Sequence, residues 1–191
     1  MSGRLRLFAA VDLGADVRAG VARAIDMARL AAPHARWVPP DGAHLTLAFL
    51  GGVEAARVPA LAAALGHAAA GRSPFSLTVG SAGTFGKTAS PRVLWLGISG
   101  DLRALASLQR GVVSAFAPLG FPAEDRPFHP HLTLARARDP HGDRSLARAA
   151  GRLGAFEAGV AGIDRVALMR SDLSGRAARY EVVAEAVLAP A

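Results

Sequence analysis

The chain has 191 residues, of which 51% are hydrophobic and 19% are charged, a balance that excludes an intrinsically disordered protein. The absence of cysteine excludes disulfides, thiolate metal sites and cysteine nucleophiles. The formal net charge of +7 favours anionic partners, nucleic acids among them, but the arginines are scattered and no long basic run occurs.

Neither a membrane segment nor a targeting segment is indicated by the apolar pattern. No apolar run approaches the ~20 residues that cross a bilayer. The amino-terminal residues carry Arg4 and Arg6 inside an alternating pattern, whereas a signal peptide has a continuous apolar stretch and a cleavage site. We therefore expect a cytoplasmic protein that does not associate with a membrane.

The first 70 residues predict two strands and two helices. Residues 4–12 alternate between apolar and polar side chains and indicate a strand, and residues 15–32 have the apolar spacing of a helix. Prolines and a glycine at 39–42 predict a turn before a second strand at 44–51. A second helix is expected over 54–70, with Gly71 as its stop.

Further strands are expected at 74–81, 92–98, 131–136, 160–170 and 179–188 and further helices at 101–117 and 143–153, so each half of the chain supplies roughly two helices and three or four strands in a similar order. Strands and helices mixed in this order predict an α+β fold. We expect two pseudo-symmetric lobes, each an antiparallel-rich sheet with helices on its outer face, with a cleft between the sheets. No linker divides the chain, so residues 1–191 are expected to form one domain of two intertwined lobes.

The sequence His-Leu-Thr-Leu occurs twice, at residues 44–47 and 131–134, nearly half a chain length apart. In a strand, side chains two positions apart share a face, so each histidine should point the same way as its threonine. Two such strands facing each other would surround one pocket with two imidazoles and two hydroxyls. Two imidazoles can act as general acid and general base near neutral pH, and hydroxyls can donate hydrogen bonds to a phosphate.

Three residues beside the two motifs are further candidates for this pocket. Arg136 follows Thr133 on the same strand, and we expect it on the same face, where a guanidinium suits an anionic substrate. The alternative for Arg136 is a solvated residue at the strand end. Phe49 and Phe128 are candidate lining residues, whereas Trp37 and Trp95 are expected in the core.

Two other patterns point to functions that we reject. Residues 81–88 nearly match a P-loop, but the first glycine is out of register and the following residues predict a strand where a P-loop opens a helix. We expect a loop between two strands there. His129 and His131 could both bind a metal, but Pro130 separates them and no carboxylate cluster is near, so no metal site is predicted.

The paired motifs and their flanking segments resemble the 2H phosphoesterase superfamily. Within it, the chain resembles the LigT-like branch, the RNA 2′,3′-cyclic phosphodiesterases. The segments that carry the resemblance span most of the chain and lie at 7–12, 44–51, 85–86, 92–97, 130–136 and 171–175, followed by Tyr180.

The resemblance implies metal-independent hydrolysis of an RNA-terminal 2′,3′-cyclic phosphate to a 2′-phosphate, with no cofactor. His44 would be the proton donor and His131 the proton acceptor, although the residues alone do not say which is which. Thr46, Thr133 and Arg136 would bind the phosphate, and Tyr180 would line the pocket with Phe49 and Phe128. The partner would be an RNA or nucleotide that ends in a 2′,3′-cyclic phosphate, and the protein is expected to be a monomer.

Three alternatives stay open at the level of sequence. A cyclic phosphodiesterase of small nucleotides and an RNA ligase could both use the same site. A non-catalytic nucleotide-binding module could have the same fold, although such a module would not need both histidines. The sequence does not rank tRNA fragments, other RNA and small nucleotides as substrates.

Overall fold

The computed structural model describes residues 3–172 and 179–190. In this part of the chain the helices are α1 (Gly14–Arg29), α2 (Val58–Ala69), α3 (Leu102–Phe116) and α4 (Arg144–Leu153). The strands are β1 (Arg4–Asp12), β2 (Arg36–Trp37), β3 (His44–Glu54), β4 (Phe75–Lys87), β5 (Ser90–Gly100), β6 (His131–Arg136), β7 (Glu157–Ile163), β8 (Arg165–Asp172) and β9 (Arg179–Val187). Single 3₁₀ turns lie at Pro40–Gly42, Ala55–Arg57 and Ala117–Leu119.

The strands form two antiparallel sheets. The first sheet has the order β3-β1-β8-β9, and the second has the order β2-β6-β5-β4-β7. Each sheet therefore contains one of the two His-x-Thr strands, β3 or β6. The α+β architecture with two antiparallel sheets is confirmed. The sheets do not follow the sequence halves, because β8 and β9 join β1 and β3 while β2 crosses to the second sheet.

Each sheet is covered on one face by two helices. Helices α2 and α3 pack against the first sheet, and α1 and α4 pack against the second. The leucines of both motifs enter these helix-covered cores: Leu45, Leu47, Leu132 and Leu134 are all buried. Because side chains alternate along a strand, the histidine and threonine of each motif lie on the opposite, helix-free face of their sheet.

The two motif strands lie close together although they belong to different sheets. Cα atoms of β3 and β6 approach within 8 Å. The helix-free faces of the two sheets thus meet along β3 and β6, and the cleft between them receives side chains from both motifs.

The strand predicted over 160–170 is wrong, because two strands occupy this region. Strand β7 ends at Ile163 on the edge of the second sheet, and β8 begins at Arg165 in the first sheet. Between them, the carbonyl of Asp164 accepts a hydrogen bond from the Leu188 amide at 2.7 Å. The apolar alternation continues through this crossing point, so periodicity alone does not reveal it.

The loop predicted at 81–88 is also wrong, because β4 continues to Lys87 and pairs with β5 in a tight hairpin. Register shifts near Ser81 and Gly86 interrupt the pairing, and both residues have positive φ angles of 51° and 112°. Such bulges break the period of two that identifies a strand. Residues 81–88 thus lie in a hairpin, and no helix follows them as a P-loop would require.

The first motif strand is longer than predicted. Strand β3 passes through two glycines and ends at Glu54, so the following helix begins only at Val58. Gly51 has a φ of 70°, at a register shift opposite Leu7 and Phe8. The guanidinium of Arg4 donates to the carbonyl of Gly52 at 2.7 Å. A bulge, rather than a chain reversal, explains the glycine pair.

Helix α1 approaches the backbone of β7 at Gly20. A Cβ atom at this position would lie 1.9 Å from the carbonyl oxygen of Ala158, so only a glycine fits. By contrast, no atom of another element in the described part of the chain lies within 4 Å of a Cβ built at Gly66, in the interior of α2.

We expect Gly20→Ala to lower the free energy of unfolding by about 1–3 kcal/mol, because α1 must move away from the second sheet. Gly66→Ala is the matched control and should raise that free energy by about 0.5–1 kcal/mol through helix propensity. Urea unfolding followed by circular dichroism measures both. A Gly20→Ala variant as stable as the parent chain would contradict the tight packing.

Candidate active site

Both motif histidines are held by the same backbone hydrogen bond. Nδ1 of His44 lies 2.7 Å from the carbonyl oxygen of Gly42, and Nδ1 of His131 lies 2.8 Å from that of His129. A carbonyl oxygen only accepts, so in each ring Nδ1–H donates. The neutral rings therefore carry an unprotonated Nε2, the atom that can exchange a proton with a substrate.

Aromatic rings from the first sheet surround His44. The ring centroid of Phe8 lies 4.6 Å from that of His44, and Tyr180 meets His44 edge-on at 4.8 Å. Gly42 completes this packing, since a Cβ there would lie 2.8 Å from the Tyr180 ring. The imidazole is thus fixed by its backbone bond and by two neighbouring rings.

A second set of rings surrounds His131. Phe85 meets it edge-on at 4.8 Å between centroids, and Trp95 and His129 each lie at 6.4 Å. The Trp95 ring lies across Gly83, where a Cβ would approach it to 2.3 Å. Trp95 thus flanks a motif histidine, although the sequence assigned it to the core. Trp37 donates from Nε1 to the carbonyl of Ala32 at 3.1 Å and packs against the core as expected.

Burial lowers the pKa of both motif histidines, but their charged neighbours differ. For His44, the hydrogen bond to Gly42 and the negative charge of Asp12 act against the lowering. For His131, the hydrogen bond to His129 acts against it, while positive charge on His129 and Arg136 adds to it. The surrounding charges thus favour a proton on His44 and disfavour one on His131.

Asp12 occupies a defined position beside His44. The two residues are opposite each other in the pairing of β1 with β3. The Asp12 carboxylate accepts from the Leu13 amide at 2.8 Å and from the Arg18 guanidinium at 2.5 Å. These bonds hold a negative charge at the edge of the site.

The two motif threonines lie two residues beyond their histidines on the same faces. Thr46 is opposite Ala10 of β1, and Thr133 is opposite Trp95 of β5. Both are partly exposed. Alternation along the strand places each threonine on the same sheet face as its histidine.

Arg136 reaches the cleft because of a bulge. It follows Thr133 by three residues, a spacing that would place the two on opposite faces of a regular strand, so the expectation that they share a face does not follow from alternation. The pairing of β5 with β6 shifts register between Leu94 and Trp95, and Leu134 and Ala135 are both buried. Arg136 is exposed, and its charge acts on the pKa of His131 and of Tyr180, which belong to different sheets.

The aromatic candidates occupy different places. Tyr180 contacts His44, and burial raises its pKa, against the opposing charges of Arg136 and Arg6. Phe49 is 45% exposed beyond a bulge in β3, with the Arg6 guanidinium 4.5 Å from its ring centroid. Phe128 packs partly buried against the core. The segment 171–175 of the resemblance is described only to Asp172, and Leu173, Ser174 and Gly175 lie outside the described residues.

Sequence reasoning missed Phe8 and Phe85. Phe8 is out of phase with the core residues of β1, Leu7, Ala9 and Val11, which is the signal of an apolar side chain on the cleft face. Phe85 could not be assigned to a face because its strand was predicted as a loop.

A cavity of about 170 Å³ lies beside His44 on the helix-free face of the first sheet. Its apolar surface comes from Ala10, Ala167, Met169, Val182 and Tyr180, and its polar surface includes Asp12, Asp41 and Glu185 with Arg18 and Arg165. Residues 3–172 and 179–190 contain no group of three or more histidine, aspartate or glutamate side chains placed to bind a metal ion. None of the helices in that part of the chain combines the length and apolar character of a membrane span.

The sequence model of the 2′-5′ RNA ligase superfamily matches residues 17–175. The chain therefore belongs to this superfamily, and the resemblance to the 2H phosphoesterases is confirmed. Curated relatives named RNA 2′,3′-cyclic phosphodiesterase include a Methanothermobacter thermautotrophicus protein, 32% identical over 90% of this chain and 92% of its own length. The Escherichia coli relative is 41% identical over 71% of this chain and 74% of its own length.

A third relative of that name, from Geobacillus stearothermophilus, is 38% identical over 70% of this chain. The match covers only 42% of the length of that relative. Solved structures agree over the whole fold. Escherichia coli LigT complexed with 3′-AMP matches with a TM-score of 0.77 and 30% identity, covering 97% of this chain and 98% of that one. A Thermus thermophilus protein matches with a TM-score of 0.79 and 29% identity, covering 96% of this chain and 97% of that one.

We expect Asp12→Asn to lower the pKa of His44, because it removes the negative charge that favours the imidazolium. The pKa of His131 should not change. NMR titration of the imidazole protons measures both. Asp26→Asn, which removes an exposed carboxylate of α1, is the matched control. An unchanged or raised His44 pKa in Asp12→Asn would contradict the role assigned to Asp12.

Proposed function

We propose that this protein hydrolyses RNA-terminal 2′,3′-cyclic phosphates to 2′-phosphates without a metal, with His44 as general acid and His131 as general base. The main observation in support is that the two His-x-Thr strands, one from each sheet, lie close together, and that Nδ1 of each histidine is bonded to a backbone carbonyl, which leaves Nε2 as the ring atom that can exchange a proton. The relatives of the same superfamily carry the name of this activity.

The proposed reaction begins with a water molecule at the phosphorus atom on the side of His131. Nε2 of His131 takes the proton of the water as the new P–O bond forms. The bond from phosphorus to the 3′ oxygen breaks, and Nε2 of His44 delivers a proton to that oxygen. In-line displacement needs these two proton transfers on opposite sides of phosphorus, and the cleft has one histidine on each wall.

The phosphoryl oxygens gain stabilisation from residues next to the histidines. We assign hydrogen bonds from the Thr46 and Thr133 hydroxyls, one from each wall, and a charge-assisted bond from Arg136. Tyr180 and Phe8 hold the His44 ring, while Phe49 and Phe128 stay predictions as lining residues. We further propose a single domain that acts as a monomer without cofactor.

Product analysis tests the proposed function. Purified protein is incubated, with and without a chelator, with 2′,3′-cyclic CMP and with an oligonucleotide that ends in a 2′,3′-cyclic phosphate. We expect a 2′-phosphate in both conditions. Activity that disappears with the chelator and returns with one divalent ion would refute the metal-independent mechanism, and a joined product would indicate a ligase.

His44→Ala and His131→Ala should each lower kcat by roughly 10²–10⁴, the usual contribution of one positioned acid or base. The double variant should lose less than the product of both effects, because the pair acts as a unit. His67→Ala, at an exposed position of α2, should retain the parent rate. A near-normal rate in either single active-site variant would rule out the paired mechanism.

The pH profile of kcat/KM should be bell-shaped, with its maximum below the ordinary histidine pKa of about 6.5. Burial lowers the pKa of both histidines. As the pH rises above these lowered values, His44 loses the proton that it must donate, and as it falls below them, His131 becomes protonated and cannot accept one. Both limbs belong to the coupled pair. A plateau that extends to alkaline pH would contradict the acid role of a histidine.

A further inference from the structure

Two arginines lie side by side on the cleft face of the second sheet. The edge strand β2 pairs Arg36 with Arg136 and Trp37 with Ala135. Trp37 packs against the core and donates from its indole to Ala32. Because neighbouring side chains of a strand point to opposite faces, Arg36 shares the cleft face with Arg136.

Among the residues that the structure describes, no carboxylate forms an ion pair with either arginine of this pair. Directly opposed like charges on antiparallel strands are destabilising. The ion pairs found in residues 3–172 and 179–190 use Arg18, Arg165 and Arg170, and neither Arg36 nor Arg136 takes part in one. Both side chains are exposed. An anion between them would remove the repulsion, and a guanidinium fork matches the oxygens of a phosphate.

Arg136 borders the catalytic centre, and Arg36 lies outside it. The charge of Arg136 acts on the pKa of His131, which agrees with the contact to the cyclic phosphate that we assign to it. Arg36 lies one strand further out, about 4.8 Å away in the pairing direction. A phosphate at Arg36 is thus separate from the phosphate held between the two histidines, and Arg136 lies between the two and can contact both.

Positive charge is concentrated at one end of the cleft. Arg6 of the first sheet adds a third positive charge, because Arg6 and Arg136 both act on Tyr180. The cavity beside His44 has three carboxylates, from Asp12, Asp41 and Glu185, two of which pair with Arg18 and Arg165, so its lining is close to charge balance. A polyanion is therefore favoured at the end of the cleft with Arg6, Arg36 and Arg136.

We propose that Arg36 and Arg136 together bind the phosphodiester that precedes the terminal nucleotide, so that the site prefers a polynucleotide to a mononucleotide. This inference rests on the proposed function, since it extends the same cleft by one phosphate. It assigns to Arg36 a binding role that acts on the RNA chain and not on the cyclic phosphate.

The test compares Arg36→Ala with the parent chain on two substrates, 2′,3′-cyclic CMP and a tetranucleotide that ends in a 2′,3′-cyclic phosphate. We expect KM for the tetranucleotide to rise about tenfold, as for the loss of one charge-assisted phosphate contact. The kinetics on 2′,3′-cyclic CMP should not change. Arg148→Ala removes an equal charge from an exposed position of α4, on the outer side of the same sheet, and should alter neither substrate.

The salt dependence gives a second readout. The slope of log KM for the tetranucleotide against log salt should fall by about 0.7 in Arg36→Ala, the value for one phosphate contact of a single strand. Equal tetranucleotide kinetics in Arg36→Ala and Arg148→Ala would overturn the inference. So would an equal loss on both substrates, which would mean that Arg36 supports the strand and does not bind RNA. If the parent chain hydrolyses neither substrate, the proposed function itself fails.

Discussion

The hydrogen bond from each histidine Nδ1–H to the carbonyl two residues earlier is the constraint on which the site depends. The distance from Nδ1 to the carbonyl oxygen is 2.7 Å at His44 and 2.8 Å at His131. This bond fixes the tautomer and the direction of each ring, and it leaves Nε2 as the atom that can exchange a proton. Such a bond needs a rigid backbone just before the motif. At His44 the 3₁₀ turn supplies it, with the Gly42 amide bonded to the Pro39 carbonyl at 3.0 Å and the Tyr180 ring against Gly42.

The same strand positions serve both the core and the chemistry. In each motif the leucines enter a helix-covered core while the histidine and threonine face the cleft. A slip of one residue in β3 or β6 would exchange these faces, exposing two leucines and burying the histidine and threonine. The packing energy of Leu45, Leu47, Leu132 and Leu134 therefore also enforces the register that the proposed reaction needs.

The sequence was sufficient for those features that depend on the alternation of side chains. The repeated motif, its faces, the four helices and the α+β class all follow from local periodicity and one repeat. Arg136 shows the limit, because its three-residue spacing from Thr133 gives the cleft face only through a bulge that local pattern does not display. Phe85 shows a second limit, since small residues and two register shifts made its strand resemble a loop. Which strand joins which sheet depends on pairings distant in sequence, and the crossing at Asp164 is one of them.

Two histidines with equivalent backbone hydrogen bonds can act as acid and base, one each, only if their surroundings differ. Here the backbone hydrogen bonds are nearly identical, but the charged residues around the two rings differ. Asp12 lies opposite His44, whereas Arg136 and His129 lie near His131. A repeated strand motif thus supplies two imidazoles in matching geometry, and the charged residues that differ between the two settings favour the proton on His44. The direction that we propose for the reaction therefore rests on residues outside the motif that makes the site recognisable.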